Sequence, residues 1–372
     1  MRIRHVQVDL MPVDAISPAF RWRDGLPGSD GPGISGILHI QTDEGIEGVV
    51  PAIRGPIVAD IVERRLRAEL VGQDPLRREW LWHRMWEIDR VEEFPVYIQG
   101  LVDSALWDIA GKQAGQPVHQ LLGTFRTSIP AYASTVTFAS IAEYLDVIDQ
   151  CLALGYPAIK LHAWGEARRD AKLCQAVREH VGPDIPLMYD GSAAFDLPDA
   201  IYLGRVLADA NYLWYEEPMR EFSITAYKQL AQNVSIPLNV AETSDGAHMN
   251  TADYIVAGCA TYVRTSWNYK GGITGAVRVA HLAEAFRLRA EVHGPGLIHR
   301  HLCMAIPNNT YYESLVMTNP VVRESCVDEH GLVHAPTGPG LGFEAMWEAN
   351  SGGSIAERVG GPHRHTSVTN GH

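Results

Sequence analysis

Hydrophobic and polar positions follow two different periods along the chain. Residues 3–10 (IRHVQVDL) and 36–50 (GILHIQTDEGIEGVV) alternate apolar and polar positions, which predicts half-buried strands of an antiparallel sheet. Between them, a Gly- and Pro-rich stretch over residues 17–33 predicts a loop. From residue 57 to 121, apolar and aromatic residues recur every three or four positions, as in EWLWHRMWEI, which predicts helices. We therefore predict an α+β domain over residues 1–125.

After residue 128 a different rhythm begins, in which a short apolar strand, a turn and an amphipathic helix repeat roughly every 25 residues. The predicted strands are PAYAST, PAIKLHA, PLMYDG, YLWYEE, PLNVAE, YVRTS, RAEVHG and YYESLV. Because parallel strands need helical crossovers, eight such units predict an α/β fold, a TIM-type (β/α)-barrel. A doubly wound open sheet would give the same local pattern. We favour the barrel because polar residues end so many of the strands, where barrel enzymes place their sites.

These patterns set the predicted boundaries of the C-terminal half. The barrel is assigned to residues 126–325, and residues 326–350 form a separate segment after it. The tail over residues 351–372 is rich in Gly, Ser and His, so we expect it to be poorly ordered.

Composition narrows the class of protein. The chain has 372 residues, is 46% hydrophobic and carries a formal charge of −13, which argues against a nucleic-acid partner because phosphates select basic surfaces. No apolar run is long enough to span a membrane, and the N-terminus lacks the apolar core of a signal peptide. Five scattered cysteines without CxxC spacing suggest neither a disulfide framework nor a zinc site. We expect a cytoplasmic homo-oligomer that acts on a small molecule.

Three carboxylates end successive predicted strands. Asp190 closes PLMYD, Glu216 closes YLWYE and Glu242 closes PLNVAE, with 26 positions from each to the next. Neighbouring parallel strands would place them side by side at one rim, where they would repel one another unless a hard cation neutralised them. Each acid alone would more simply cap the following helix, but the equal spacing of three favours a Mg²⁺ site.

One strand earlier, PAIKLHA places Lys160 and His162 two positions apart, so both side chains point to the same face. Lys160 could be a structural ion-pair partner, and His162 a buried histidine with satisfied hydrogen bonds. Beside three carboxylates and a cation, either group could instead act as a base at neutral pH.

Two further candidates fall at the same rim. His293 ends the seventh predicted strand and Glu313 lies in the eighth, although a turn hydrogen bond and an ion pair would explain them equally well one at a time. His299 and His301, in LIHRHL, are predicted to lie on the helix that follows.

These residue types together suit one reaction. A hydrogen next to a carboxylate is too weakly acidic for a side chain to remove unless the resulting enediolate is strongly stabilised. A divalent cation and nearby ammonium or guanidinium groups supply that stabilisation while a Lys or His takes the proton.

The chain resembles the enolase superfamily and, within it, the mandelate racemase group. The stretch SALWDIAGKQAGQPVHQLLG is similar to the family's link between a capping domain and its barrel, and YEEP is similar to its second-ligand motif. The resemblance implies a modified, enolase-like barrel whose mouth is covered by an N-terminal cap through loops at residues 17–33 and 51–56. It also implies that residues 326–350 return to the cap. The roles it implies are metal ligation by Asp190, Glu216 and Glu242, a Lys-x-Lys-type pair at Lys160 and His162, an opposite-face acid or base at His293, and a substrate-carboxylate partner at Glu313.

Two positions depart from that pattern. The pair is Lys-x-His instead of Lys-x-Lys, which moves the expected base toward the imidazole of His162. Before the GGIT turn in YVRTSWNYKGGITG, Ser266 stands where the family has the Asp of an Asp–His dyad or the Lys of the muconate-lactonizing type. This change argues against the muconate-lactonizing reaction and leaves His293 without its expected carboxylate partner.

We therefore expect a Mg²⁺-dependent dehydratase of a sugar acid, an aldonate or aldarate, giving a 2-keto-3-deoxy acid. A racemase or epimerase is the second hypothesis, and a scaffold that keeps metal and ligand binding without turnover is the third. Five residues are candidates for contacts with the substrate, and each arginine among them could equally be a surface residue: Arg21, Arg23, Arg54, Arg264 and Ser266.

Overall fold

The computed structural model describes residues 1–29 and 31–344. Its N-terminal part is an antiparallel sheet in the order β1-β2-β3, formed by Ile3–Val13, Gly33–Thr42 and Glu47–Ala52, as the alternating pattern predicts. Helices follow the sheet, and a π-helical turn at Val62–Leu66 joins the first two. They are α1 (Gly55–Ile61), α2 (Arg67–Leu70), α3 (Arg78–Glu92), α4 (Val96–Ala114) and α5 (Val118–Leu121).

Helix α4 joins this cap to the rest of the molecule. It is buried along most of its length, so its sequence is apolar on nearly every face. A side chain at Gly100 would lie 2.4 Å from the carbonyl oxygen of Trp267, so only glycine lets the helix approach that loop. Asp103 on the same helix accepts hydrogen bonds from the backbone N–H (2.9 Å) and hydroxyl (2.6 Å) of Thr274. These contacts hold the loop over residues 266–271 against the cap.

Eight parallel strands form the core of the larger sheet; seven lie within the predicted strand sequences, and β4 begins two residues before PAYAST. Their order is β10-β9-β8-β7-β6-β5-β4-β11, so neighbours along the chain are neighbours in the sheet. The strands are β4 (Ser128–Thr135), β5 (Ala158–His162), β6 (Leu187–Asp190), β7 (Trp214–Glu216), β8 (Leu238–Val240), β9 (Tyr262–Thr265), β10 (Arg289–Val292) and β11 (Tyr312–Val316). The predicted fold class, an enolase-like barrel with an α+β cap, is confirmed.

A helix follows each of the first seven strands. Three of these helices begin with a side chain that accepts a hydrogen bond from the backbone N–H three residues later, at Ser140, Asp196 and Ser223. His299 and His301 lie on the last of them, as predicted. The helices are α6 (Ile141–Ala153), α7 (Ala167–Val181), α8 (Leu197–Asp209), α9 (Ile224–Asn233), α10 (His248–Val256), α11 (Gly272–Ala285) and α12 (Leu297–Ala305).

The two ends of the large sheet meet without a strand ladder in the described part of the chain. The backbone N–H of Ala290 instead donates to the carbonyl of Asn308, and that of Val292 to the side chain of Asn309. Strand β12 (Leu332–His334) pairs antiparallel with the start of β4. The chain then reaches the cap at Gly340, whose N–H and carbonyl bond to residues 116 and 118.

The predicted tail over residues 351–372 lies outside the described residues. Within residues 1–29 and 31–344, every helix is too short or too polar to cross a membrane. All five cysteines are free thiols, as their scattered spacing predicts.

Candidate active site

Three carboxylates meet at the carboxyl ends of β6, β7 and β8. Asp190 and Glu216 end their strands in direct register, and Glu242 lies two residues beyond β8, after Ala241 at φ 65°. One oxygen of each lies within 4.8 Å of the others, and all three side chains are buried. Equal spacing in the sequence thus corresponds to proximity in space.

The barrel interior beside this cluster holds an unbalanced set of charges. Among the described residues joined by ion pairs here, four buried carboxylates share two buried cations, so negative charge is in excess when all are ionised. The set consists of Asp190, Glu216, Glu242 and Glu313 against Lys160 and Arg264.

Lys160 is fully buried on β5 and is bound by three of these carboxylates. Its Nζ lies 3.1 Å from Asp190 Oδ2, 3.0 Å from Glu216 Oε1 and 2.8 Å from Glu313 Oε1. Burial opposes its charge, but Glu216 and Glu313 outweigh burial and raise the pKa of Lys160 well above 10.5. The ammonium is therefore held in its charged form.

Arg264 on β9 is also fully buried, beneath the cluster. Its Nε donates to Glu216 (2.6 Å), and its Nη2 donates to Glu313 (2.9 Å) and to the hydroxyl of Tyr132 (2.9 Å). Its Nη1 donates to the carbonyl of Val292 (3.2 Å). These donors all bond to residues of the barrel interior, so Arg264 is a partner of the buried carboxylates. Its position in the sequence predicts a contact with the substrate instead.

The carboxylates differ in how well their charge is balanced. Burial opposes the charge of Asp190, but His162 and Lys160 lower its pKa well below 3.8. Burial, followed by Glu217, Glu216 and Asp190, raises the pKa of Glu242 well above 4.5. Its Oε2 has no hydrogen-bond partner among the described residues.

A divalent cation fits this donor set. The ligand atoms are carboxylate oxygens, the type that Mg²⁺ prefers. A charge of +2 would offset the excess negative charge of the cluster, and Oε2 of Glu242, which has no hydrogen-bond partner in the described residues, offers a ligand. The three residues that would hold the ion are those predicted from the sequence: Asp190, Glu216 and Glu242.

His162 lies at the Asp190 end of the cluster. Its Nδ1 donates to the backbone carbonyl of Thr135 (2.7 Å), which leaves Nε2 as the nitrogen that faces the cluster. That Nε2 lies 3.1 Å from Asp190 Oδ2. The indole of Trp22, from the cap loop, covers the ring at a centroid distance of 4.7 Å. The imidazole is therefore fixed in orientation and shielded on one side.

His293 lies at the opposite, Glu242 end. Its Nε2 is 3.2 Å from Glu242 Oε1, while its Nδ1 has no partner within residues 1–29 and 31–344. The hydroxyl of Ser266 accepts from the backbone N–H of Tyr269 (3.2 Å), and the Tyr269 ring lies 5.5 Å from the imidazole. Ser266 therefore does not take over the role of a dyad carboxylate. Burial is the main cause that lowers the pKa of His293 well below 6.5.

The three cap arginines occupy different positions. The guanidinium of Arg23 donates to the carbonyls of Ser192 and Asp24, both at 2.9 Å, and so ties the cap loop to the loop after β6. Arg21 is exposed, and its carbonyl accepts from the N–H of Thr137. Arg54 is the exposed cation beside Tyr97, at 5.9 Å from the ring centroid.

Several residues of the site were not predicted from the sequence. Trp214 donates from Nε1 to Glu216 Oε2 (2.8 Å); the two are two positions apart on one strand, a spacing that could have identified it. Lys270 is fully buried and donates to the carbonyl of Ser244 (2.9 Å); burial lowers its pKa to about 8. Trp22 is another such residue. Its packing on His162 joins distant parts of the chain, and no local pattern reveals it.

Known proteins are similar to this chain in sequence and in fold. The model "Enolase C-terminal domain-like" matches residues 143–349, and "Mandelate racemase / muconate lactonizing enzyme, N-terminal domain" matches residues 35–123. A D-galactonate dehydratase family member from Pseudarthrobacter chlorophenolicus is 28% identical over 84% of this chain and 90% of its own length.

Two solved structures match nearly the whole chain. D-glucarate dehydratase from Agrobacterium tumefaciens, complexed with magnesium, has a TM-score of 0.84 and 33% identity over 92% of this chain and 96% of its own. A racemase from Streptomyces coelicolor with bound magnesium has a TM-score of 0.80 and 26% identity over 91% and 96%. Both dehydratases and racemases are thus among the relatives. The chain belongs to the mandelate racemase group of the enolase superfamily.

Proposed function

We propose that the protein is a Mg²⁺-dependent dehydratase of acid sugars. The observation that carries the proposal is the placement of two imidazoles at opposite ends of one acidic cluster. The Nε2 of His162 approaches Asp190, and the Nε2 of His293 approaches Glu242. A substrate whose carboxylate reaches the cluster would lie between a base and an acid.

Asp190, Glu216 and Glu242 are the proposed ligands of the ion. When bound, Mg²⁺ supplies positive charge next to the substrate carboxylate as its α-proton leaves. Lys160 and Arg264 add two permanent charges in a buried site, where electrostatic stabilisation of a developing anion is strongest.

His162 is the proposed base. The Thr135 carbonyl holds one proton on Nδ1, so Nε2 is the nitrogen that takes the proton from C2, once the ring has given up any proton that Nε2 shares with Asp190. Lys160 forms ion pairs with three carboxylates, which keep its ammonium group protonated. It therefore suits the stabilisation of the enediolate charge and does not suit proton transfer.

His293 is the proposed acid for the second half of the reaction. As the C3–O bond breaks, His293 in its charged imidazolium form gives the Nε2 proton to the departing hydroxyl, which leaves as water while the imidazole becomes neutral. The C2–C3 enol that remains tautomerises to a 2-keto-3-deoxy acid. In each turnover His162 gains one proton and His293 loses one. The cycle closes when His162 releases its proton to solvent and His293 takes one up.

A racemase would need His293 to remove a proton as readily as it gives one. A carboxylate on Nδ1 would favour the charged imidazole that such a base becomes. Ser266 offers an uncharged hydroxyl, which is already bonded to the backbone of Tyr269. This arrangement supports elimination over racemisation.

Arg54 is the proposed contact for the far end of the substrate. It holds a left-handed backbone conformation, φ 58°, which disfavours a residue with a side chain and is common where function requires it. The hydroxyl of Tyr97 beside it is buried without a partner in the described residues. A guanidinium and a phenol hydroxyl would suit a second carboxylate, so we propose aldarates as the preferred acid sugars.

The test is a panel of aldonates and aldarates incubated with Mg²⁺ and assayed for 2-keto-3-deoxy acids. We expect product from at least one aldarate, and none with EDTA or with Glu216→Gln. Optical rotation followed in parallel detects racemisation. If the ion binds but neither product nor racemisation is found across the panel, the protein is a binding scaffold and the proposal is wrong.

A further inference from the structure

Near the barrel mouth, two buried imidazole nitrogens have no hydrogen-bond partner among the described residues, and one of them is Nδ1 of His293. The other is Nε2 of His299, six residues later on α12. Buried polar atoms normally have a hydrogen-bond partner, from the protein or from an ordered water. Two such atoms in one region therefore point to a shared partner.

The turn between the two histidines brings the His299 ring against the backbone next to His293. Gly294 and Gly296 both have positive φ, 88° and 110°. A side chain on Gly294 would lie 3.3 Å from Cε1 of His299, tighter than most real contacts of this kind. The glycine therefore makes room for the His299 imidazole directly beside the residue that follows His293.

One loop covers both rings. Trp267 and Tyr269, two positions apart between β9 and α11, lie over His299 (6.3 Å between ring centroids) and His293 (5.5 Å) respectively. His299 is only 4% exposed. The same loop thus packs against both imidazoles.

The tautomer of His299 is fixed by its other nitrogen. Its Nδ1 donates to the carbonyl of Pro295 (2.8 Å), so the Nε2 of the neutral ring carries a lone pair and can only accept. Burial lowers the pKa of His299 to about 4, which keeps the ring neutral near pH 7. A water between the two rings could accept a proton from Nδ1 of His293 and donate to Nε2 of His299.

We propose that His299 is a positioning residue for His293 and holds its Nδ1 through one bound water, in the place where relatives with a dyad use a carboxylate. A bonded Nδ1 fixes the orientation of the imidazole, so that Nε2 keeps one direction at the mouth of the barrel. The kinetic part of this inference rests on the proposed dehydratase function.

The structural test does not depend on turnover. A high-resolution crystal structure of the Mg²⁺-loaded protein should contain one ordered water within about 3.2 Å of both His293 Nδ1 and His299 Nε2. The same structure of His299→Phe should lack it. A protein group bonded to His293 Nδ1, or no water between the rings, would overturn the proposal.

The kinetic test separates positioning from general damage. His299→Phe should lower kcat for dehydration about 10- to 100-fold, with little change in KM and with C2 deuterium exchange through His162 retained. His299→Gln, which keeps an acceptor, should recover part of that loss. Equal loss of exchange and dehydration in both variants would mean that His299 is merely structural.

His301→Phe is the matched control. His301 is a buried imidazole on the same helix, but both of its nitrogens bond to backbone, at His119 and Leu341. Its loss should reduce stability without changing the ratio of dehydration to exchange, and an equal change in that ratio would count against His299. If the wild type makes no keto acid, the proposed function fails while the bridging water still decides the role of His299.

Discussion

Replacing Glu242 by Gln should stabilise the metal-free protein while abolishing its response to Mg²⁺. Glu242 is 5% exposed, and in residues 1–29 and 31–344 its carboxylate forms ion pairs with His293 Nε2 at 3.2 Å and Arg264 Nε at 3.7 Å. Burial and three neighbouring carboxylates raise its pKa well above 4.5. The amide keeps the shape of the side chain and removes the charge.

The size of the stability gain follows from the proton that Glu242 must take up in the folded, metal-free protein. At pH 7, which is 2.5 units above the unfolded pKa of 4.5, protonating the group costs about 1.4 kcal/mol per pH unit, or at most about 3.4 kcal/mol. Because the folded pKa is raised, wild-type stability without metal falls as pH rises above 4.5. The advantage of Glu242→Gln should therefore be near zero at pH 4.5 and grow toward that limit at pH 7.

The assay is urea unfolding in EDTA and in Mg²⁺ at several pH values. At 100 times its Kd, the ion should stabilise the wild type by about 2.7 kcal/mol and the variant hardly at all. Glu291→Gln is the control: it alters a buried carboxylate on β10 that accepts hydrogen bonds from Thr310, and it should keep the Mg²⁺ response. A Glu242→Gln protein that is less stable than wild type in EDTA at pH 7, yet still stabilised by Mg²⁺, would refute the reasoning.

Three further predictions concern the base, the cap and the distal contact. His162→Asn should reduce solvent deuterium incorporation at C2 by about 100-fold or more, measured by NMR; exchange that survives there but vanishes in Lys160→Met would reverse the two roles. Burial raises the pKa of Asp103 to about 7. Between pH 3.8 and 7 the carboxyl group therefore stays protonated in the folded protein but loses its proton in the unfolded chain, so the free energy of unfolding falls as pH rises through that range. Asp103→Asn should flatten this part of the pH–stability curve, and an unchanged slope in urea unfolding would contradict the assignment. Arg54→Met should lower kcat/KM for an aldarate about 10- to 100-fold and change that for an aldonate little; equal losses on both would remove Arg54 from specificity.

The barrel strands and the metal ligands could be predicted because their signals are local. Each strand is a short apolar run before a helix, and Asp190, Glu216 and Glu242 recur at a spacing of one strand and one helix. In a parallel sheet whose strand order follows the sequence, that spacing alone places them together.

The roles of Arg264 and Trp22 could not be predicted in the same way. Arg264 on β9 reaches across the interior to β7 and β11, and Trp22 reaches from the cap loop to His162. Such contacts depend on how distant strands converge and on which rotamers pack, and neither leaves a periodic trace in the sequence. The cap arginines show the same limit, since Arg21, Arg23 and Arg54 look alike in sequence but differ in partners and exposure.

The central claim is most directly tested by following one active acid sugar with the wild-type protein and Mg²⁺ in D₂O by ¹H NMR. Dehydration predicts that signals of a 2-keto-3-deoxy acid grow as substrate is lost, while the remaining substrate keeps its configuration at C2. Deuterium at C2 of both epimers, in equal amounts and without keto product, would contradict the account and identify a racemase.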